Sequence, residues 1–439
     1  MTKPRRHGCF TTLALHIFWN AMPTWPSLPS VLAPIILALC LTSFLEDVCI
    51  AGGPVHGAKS AGMGNAFTAT ADDPSAIMHN PAGLTNLSGT NIYAGATAVI
   101  PSTKYTSPGG GSEETQFQVF VPPHIYASSD FGMDNLAFGL GIYSPFGIGG
   151  RIWDETGLTR YRSVESMIAT FSVNPCVAWR VTPSLSVGFG ADYMWSFNKA
   201  KNMLDQSFVG APDAKLKLEA DGGGWGYNAG ILLFPGRKFS LGAAYRTGIE
   251  VDQTGTLSIV DIASPLQPLF GGPHFKTDVE TTIDFPEIVN FGIAYRPTQQ
   301  WTVGLGAEWV GWSSFDKQVL DLKTEAPEVG LSDVTTVFDW EDSWILKVGL
   351  DYKVNDKLSL RGGYCFLDTP VPERTLSPAS PDSEQHTITA GFGYKTGKIT
   401  IDAFYSATFY EDIEVENDIL SGEYENFVHY VGFSVGQRF

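Results

Sequence analysis

From Thr90 to Phe439 the chain repeats one unit, about ten residues of alternating apolar and polar character followed by a turn or a polar loop. In "SWILKVGLDYKV", Trp344, Leu346, Val348, Leu350 and Tyr352 share one face, while Lys347, Gly349, Asp351 and Lys353 share the other. "HTITAGFGYKT" sets Ile388, Ala390, Phe392 and Tyr394 against Thr387, Thr389, Gly391 and Gly393. Alternation by itself suits a soluble sandwich as well as a membrane barrel, so the polar face decides. Packed into a dry core, it would bury Arg180, Asp192, Arg246, Arg296, Glu308, Lys347, Asp351, Arg361 and Asp402, and unpaired buried ions are strongly destabilising. With the apolar set toward lipid and the charges toward a wet lumen, the pattern is a transmembrane antiparallel β-barrel.

Candidate strands fall near 90–106, 116–130, 136–147, 166–181, 185–203, 225–236, 239–259, 277–297, 301–322, 343–354, 358–368, 386–396, 399–415 and 426–439, which makes about 14 strands, an even number as bacterial barrels require. Short connections ("VTPS", "PGRK", "PTQQ", "NDK", "GK") alternate with long ones at 148–165, 204–224, 260–276, 323–342 and 369–385. Short periplasmic turns and long external loops are the expected counterpart. Trp153, Trp179, Trp301, Trp340, Trp344, Tyr352 and Tyr394, at strand ends, suit interfacial girdles. Past residue 51 no run of about 18 apolar residues could form a spanning helix.

Residues 1–51 read as an export signal: Lys3, Arg5 and Arg6 precede the apolar "VLAPIILALCLTSFL", and Cys49-Ile50-Ala51 is a small-residue cleavage site. Translation beginning at Met22 and a retained membrane anchor are the alternatives. Cys176 and Cys365, beyond this segment, are too few for a disulfide framework or a metal site. A net charge of −18 argues against nucleic acid, whose phosphates demand cations.

Residues 52–89 are rich in Gly and Ala and helical in pattern, with Asp73-Pro74 a fitting N-cap and N1 pair. The segment has too few large apolar residues to fold alone, and the lumen offers it a surface. Asn80-Pro81-Ala82 would fix this hatch, Asn80 bonding its own turn or the barrel wall. His79, beside it, suits a structural role better than a ligand role, and Gly62-Met63-Gly64 follows no strand, so it is no dinucleotide fingerprint.

"GAKSAGMGNAFTATADDPSAIMHNPAGL" and the late "DKLSLRGGYCFLDTPVPERTLSPASPDSEQHTITAGFGY" resemble the outer-membrane long-chain fatty acid and aromatic-hydrocarbon transporter family (FadL/TodX type, OmpP1), and the terminal Phe439 resembles its barrel-assembly signal. The resemblance implies a fourteen-stranded barrel plugged by its N-terminal hatch, in the outer membrane of a Gram-negative bacterium. It implies a monomer that interacts with membrane lipid and the barrel-assembly machinery. It further implies passive uptake of hydrophobic compounds, long-chain fatty acids or else aromatic or other hydrophobic solutes, with no cofactor and no catalytic residue. In that family the third strand kinks inward beside a gap in the wall. Ser144-Pro145-Phe146-Gly147 falls at that place, where Pro145 deletes a ladder donor and Gly147 a wall side chain. The alternative is a plain β-bulge.

A fatty acid carboxylate calls for a lumen cation. Lys199 and Lys201 lie close to a basic head-group position of the family, although alternation from Leu185 turns both outward; Lys347 and Arg361 are the candidates by parity, unless they pair with Asp351, Glu308 or Asp402. The apolar loop stretches 210–218 and 262–270 could collect ligand. A barrel enzyme (lipase or acyltransferase) would need a nucleophile with a histidine partner, and none of the six histidines past residue 51 adjoins a serine elbow. A purely structural barrel would need no strand break.

Overall fold

The computed structural model describes residues 55–325 and 331–439; residues 1–51, expected to be an export signal, lie outside them. Fourteen strands close into one antiparallel barrel. They are β1 (Thr90–Thr106), β2 (Pro123–Ser129), β3 (Leu136–Tyr143, resuming as Ile148–Ile152), β4 (Glu165–Thr182), β5 (Leu185–Leu204), β6 (Ala214–Leu233), β7 (Phe239–Arg246 and Ile249–Val260), β8 (Phe275–Phe285 and Ile288–Tyr295), β9 (Trp301–Val310 and Lys317–Leu322), β10 (Val334–Val337 and Ser343–Lys353), β11 (Leu358–Leu367), β12 (Gln385–Thr396), β13 (Ile399–Tyr410) and β14 (Gly422–Arg438). The seam is complete, since β1 pairs with β14 from Asn91 opposite Arg438 to Thr106 opposite Glu423. Closure leaves no strand edge to lipid, which has no hydrogen bond to offer it.

The strand β6 shows how the barrel meets two solvents. Its outward residues are Lys215, Lys217, Glu219 and Asp221, then Trp225, Tyr227, Ile231 and Leu233; its inward residues are Ala214, Leu216, Leu218 and Ala220, then Gly224, Gly226, Asn228 and Gly230. Polarity therefore reverses across Gly222-Gly223. Toward the short turns the outside is apolar and the inside polar. Toward the long loops the wall rises out of the membrane, the outside becomes charged and the inside apolar. The strand β8 repeats this, with Lys276, Asp278, Glu280 and Asp284 outside Val279, Ile283 and Phe285. A wet lumen throughout, as alternation suggested, is thus corrected: the outer half encloses an apolar core built around Leu218, Val251, Ile283, Trp312, Phe315 and Trp340.

The same reversal explains two strand boundaries. Residues 214–224, expected as loop, continue β6 because their alternation is intact but inverted. Residues 116–122, expected in β2, are outside it; there only Val99 and Phe120 bridge. Trp179, Trp301, Trp344 and Tyr394 face outward and exposed as a girdle requires, whereas Trp153 and Trp340 are buried in the apolar core, where loops fold back over the barrel.

Residues 55–89 fill the membrane-level lumen as α1 (Ala58–Gly62), α2 (Ala76–His79) and a 3₁₀ turn (Pro81–Asn86). The wall is thinned to receive them. A Cβ on Gly230 would lie 2.1 Å from Asn80 Oδ1, and one on Gly349 2.3 Å from the carbonyl of Met63. Inward glycines are therefore the seat of the hatch, because only a missing side chain admits backbone this close.

Candidate functional site

The hatch is held by side chains from both partners. Asn80, fully buried, donates to the carbonyls of Thr68 (2.9 Å) in the hatch and Ile231 (3.0 Å) in β6, and its Oδ1 accepts from Ala82 N (3.2 Å). The motif thus bonds its own turn and the wall at once. Pro81 supplies the N1 residue of the turn, lacking an N–H that would be orphaned there.

The lumen ions face this plug and pair among themselves. Lys347 bonds Glu308 (2.7 Å); Arg361 bonds Asp351 (2.8 Å) and Asp402 (2.6 Å); Arg246 bonds Asp192 (2.6 Å). Each is largely buried, so pairing offsets the desolvation that isolated charges would suffer. Of the head-group candidates, Lys347 and Arg361 do point inward, yet each is already met by carboxylate. Lys199 and Lys201 turn outward, to Glu165 (2.7 Å) and Glu155 respectively, and so cannot reach a ligand in the lumen.

The wall is breached between β2 and β3. The two pair from Ser129–Phe138 to Ile125–Ile142. Beyond that, among the described residues, no hydrogen bond joins them until Gln116 N donates to the carbonyl of Ile152 (2.7 Å). The segment 117–122 stays with β1, and β3 leaves toward the lumen. Tyr143 lies opposite Ser172 and Ile148 opposite Ala169, so five steps along β3 (148 − 143) face three along β4 (172 − 169). The excess of two residues is taken up by the four-residue inward turn Ser144-Pro145-Phe146-Gly147. Gly147 takes φ 84°, a conformation that disfavours side chains. Thr170 of β4 completes the turn, its hydroxyl accepting from Phe146 N (3.1 Å) and donating to the carbonyl of Gly147 (3.1 Å). Irregular backbone is tolerated at membrane depth only when so satisfied and beside a cavity. Phe146 enters the apolar core, its ring 4.7 Å from that of Phe285. Pro145 borders a small cavity of about 30 Å³ shared with His56 and His79 of the hatch.

Hydrogen bonds connect the kink to the plug. The hydroxyl of Tyr143, the last ladder residue of β3, lies 3.1 Å from Asn174 Oδ1 and 3.2 Å from Asp192 Oδ2. Arg246, bound to the same Asp192 oxygen, donates to the carbonyls of Ile77 and Met78 in α2 (both 3.3 Å). His79 stacks edge-on to Phe67 at 5.4 Å, inside the plug.

A second cavity, about 90 Å³, lies directly behind the breach. Phe120 and Gly149-Gly150 border it from the two sides of the gap, Ala61 and Asn65 from the hatch, and Ser380-Pro381-Asp382 from above. Its cation is Arg151, which reaches across the gap from β3 to donate to Thr103 Oγ1 of β1 (2.9 Å) and forms no salt bridge among the described residues. Its roof is the loop after β11, buried from Leu376 to Ser383. That loop is tied down where Trp153 Nε1 donates to the carbonyl of Pro378 (3.0 Å) and Ser166 Oγ to that of Ala379 (3.1 Å). Asp382 accepts from Gln385 Nε2 (3.0 Å), and burial pushes its carboxyl up to about 6. Arg151, Thr170 and Asp382 were not singled out by sequence reading. The "DTPVP" stretch that opens the roof loop was its only signal. The stretch 262–270 also folds inward, burying Ile262 and Leu266 in the apolar core, whereas 214–218 is wall rather than loop.

A closed barrel with a lipid-facing apolar band, a folded plug, a breached wall and an apolar core outside the plug is an integral outer-membrane barrel of the plugged transport type. Residues 47–439 match the family of outer membrane protein transport proteins (OMPP1/FadL/TodX), and the chain belongs to that family of outer-membrane transporters for hydrophobic compounds. Among curated relatives, the long-chain fatty acid transport protein of Escherichia coli O6:H1 is 23% identical over 398 residues, spanning 82% of this chain and 86% of that protein. Outer membrane protein P1 of Haemophilus influenzae is 21% identical over 400 residues, with 79% and 83% covered. Among solved structures, a Pseudomonas aeruginosa FadL homologue superposes with a TM-score of 0.77 at 20% identity, over 89% of this chain and 99% of the other. The Pseudomonas putida toluene transporter TodX gives 0.72 at 18% identity, over 87% and 98%. At such identities these structures share the fold.

Proposed function

We propose that this barrel takes up long-chain fatty acids passively. The acyl chain enters along the apolar core under the external loops. Its carboxylate then meets Arg151 in the cavity behind the breach, and movement of the hatch or the roof loop releases it through the gap between β2 and β3. The single observation that carries this reading is the breach itself: an unpaired stretch of wall opening onto a cavity whose cation forms no salt bridge among the described residues. Each methylene moved from water to apolar surroundings contributes about 0.8 kcal/mol, so a long chain binds the core firmly. An aromatic hydrocarbon would use the same path but offer the Arg151 guanidinium no anion beyond its bond to Thr103, which favours the acid.

The test replaces Pro145-Phe146-Gly147 with Val-Thr-Val, restoring ladder donors and wall side chains. Oleate uptake into cells should fall to background while the barrel still folds and binds oleate in detergent. Uptake at the unaltered rate would remove the breach from the pathway.

A further inference from the structure

The periplasmic mouth carries a charge that nothing in the uptake reading uses. Below the hatch lie two cavities of about 810 and 590 Å³, which share Lys59, Asp72, Arg361, Lys395 and Thr400 and so form one vestibule. Its rim is made by the short turns, and these are basic: Arg296 follows β8, Lys353 and Lys357 flank the β10–β11 turn, Lys395 and Lys398 flank the β12–β13 turn, and Arg438 ends β14. None of the six forms an ion pair among the described residues. At the opposite end of the barrel, by contrast, Lys104, Arg160, Lys199, Lys201, Lys215, Lys323 and Arg374 are all paired with carboxylates.

The vestibule's own acids cannot neutralise this rim. Asp351 and Asp402 are held by Arg361, Asp72 by Lys59 (2.7 Å), and Asp73 accepts from Ser75 N and Oγ. Asp356 in the vestibule and Asp130 beside Arg438 are left against six cations. In a protein of net charge −18, a concave, uncompensated positive surface opposes its own assembly unless an anion approaches it.

We infer that the vestibule docks an acidic polypeptide segment presented from the periplasm. The spread of charge separates this from a small anion, since the vestibule's free cations lie on four separate wall segments. Its ceiling is the hatch, through Lys59 and Asp72, so a docked segment touches the plug directly. The inference stands apart from fatty acid uptake and survives its failure.

The test uses the whole barrel in nanodiscs of phosphatidylcholine, a lipid without net charge, and a fluorescein-labelled peptide of about twelve glutamates, read by anisotropy at low ionic strength. The peptide should bind, while the equivalent glutamine peptide should not, and affinity should fall at least tenfold when salt shortens the Debye length to about 8 Å. The triple variant Lys353→Gln, Lys395→Gln, Lys398→Gln changes only exposed side chains and should weaken binding at least tenfold, with Lys217→Gln on the outer wall leaving it unchanged. Absence of binding, equal binding by the triple variant, or displacement of the peptide by inorganic phosphate at matched charge concentration would each overturn the inference.

Discussion

Replacing Asn80 by Ala tests whether the hatch is a plug held by a few specific bonds. The side chain is fully buried and makes three hydrogen bonds, to the carbonyls of Thr68 and Ile231 and from Ala82 N. At about 1 kcal/mol net for each, the loss weakens the seated hatch by about 3 kcal/mol. Ile231 belongs to a wall ladder that persists without Asn80, so the weakening falls on the hatch rather than the barrel. A loss of that size raises the population of the unseated hatch roughly 150-fold, at tenfold per 1.4 kcal/mol. Amide hydrogen exchange over residues 58–86 should accelerate by that order while the β-ladders stay protected, and planar-bilayer recordings should show brief ion-conducting openings rare in the parent. Asn80→Asp keeps the bond from Ala82 but sets a buried carboxylate oxygen against the two carbonyls, so it should unseat the hatch at least as strongly. Exchange and conductance unchanged in Asn80→Ala would refute the idea that this motif seats the plug.

Two further outcomes probe the cavity and its roof. Arg151→Gln removes a charge-assisted bond worth roughly 1.5–3 kcal/mol, so oleate should bind more than tenfold more weakly while toluene binding stays the same; an equal loss for both ligands would argue that Arg151 merely holds the wall. Asp382, 1% exposed, has its carboxyl raised from 3.8 to about 6 by burial, so the closed loop holds its proton more tightly than the open one. Closure is therefore favoured most at low pH and loses roughly 3 kcal/mol as pH climbs from about 4 through about 6. Hydrogen exchange of residues 376–383, corrected for intrinsic rates, should accelerate across that window in the parent and stay flat in Asp382→Asn. A parent without pH dependence would dismiss Asp382 as the control of the roof.

Period-two alternation determined the barrel, its strand number and its sidedness, because a one-residue step turns a side chain from one face to the other whatever the partner strand. The gap at Ser144-Pro145-Phe146-Gly147 was legible for a similar reason: a missing donor and a missing side chain are local facts. Sequence also gave the Asn80-Pro81-Ala82 motif its two alternative anchors, and the fold uses both. What alternation cannot carry is its own sign. Leu216 and Leu218 against Lys215 and Lys217 read as a loop, because only the height of that stretch relative to the membrane decides which face is wet. Pairing of lumen charge was likewise settled in three dimensions: Arg361 meets Asp402, distant in sequence, across a neighbouring strand, and is thereby withdrawn from ligand. Arg151 is distinguished by the reverse circumstance, a cation left without a salt bridge among the described residues where β3 departs from β2. Strand periodicity is a property of one segment, whereas burial, pairing and the breach are properties of which segments meet, and closure of the barrel alone brings them together.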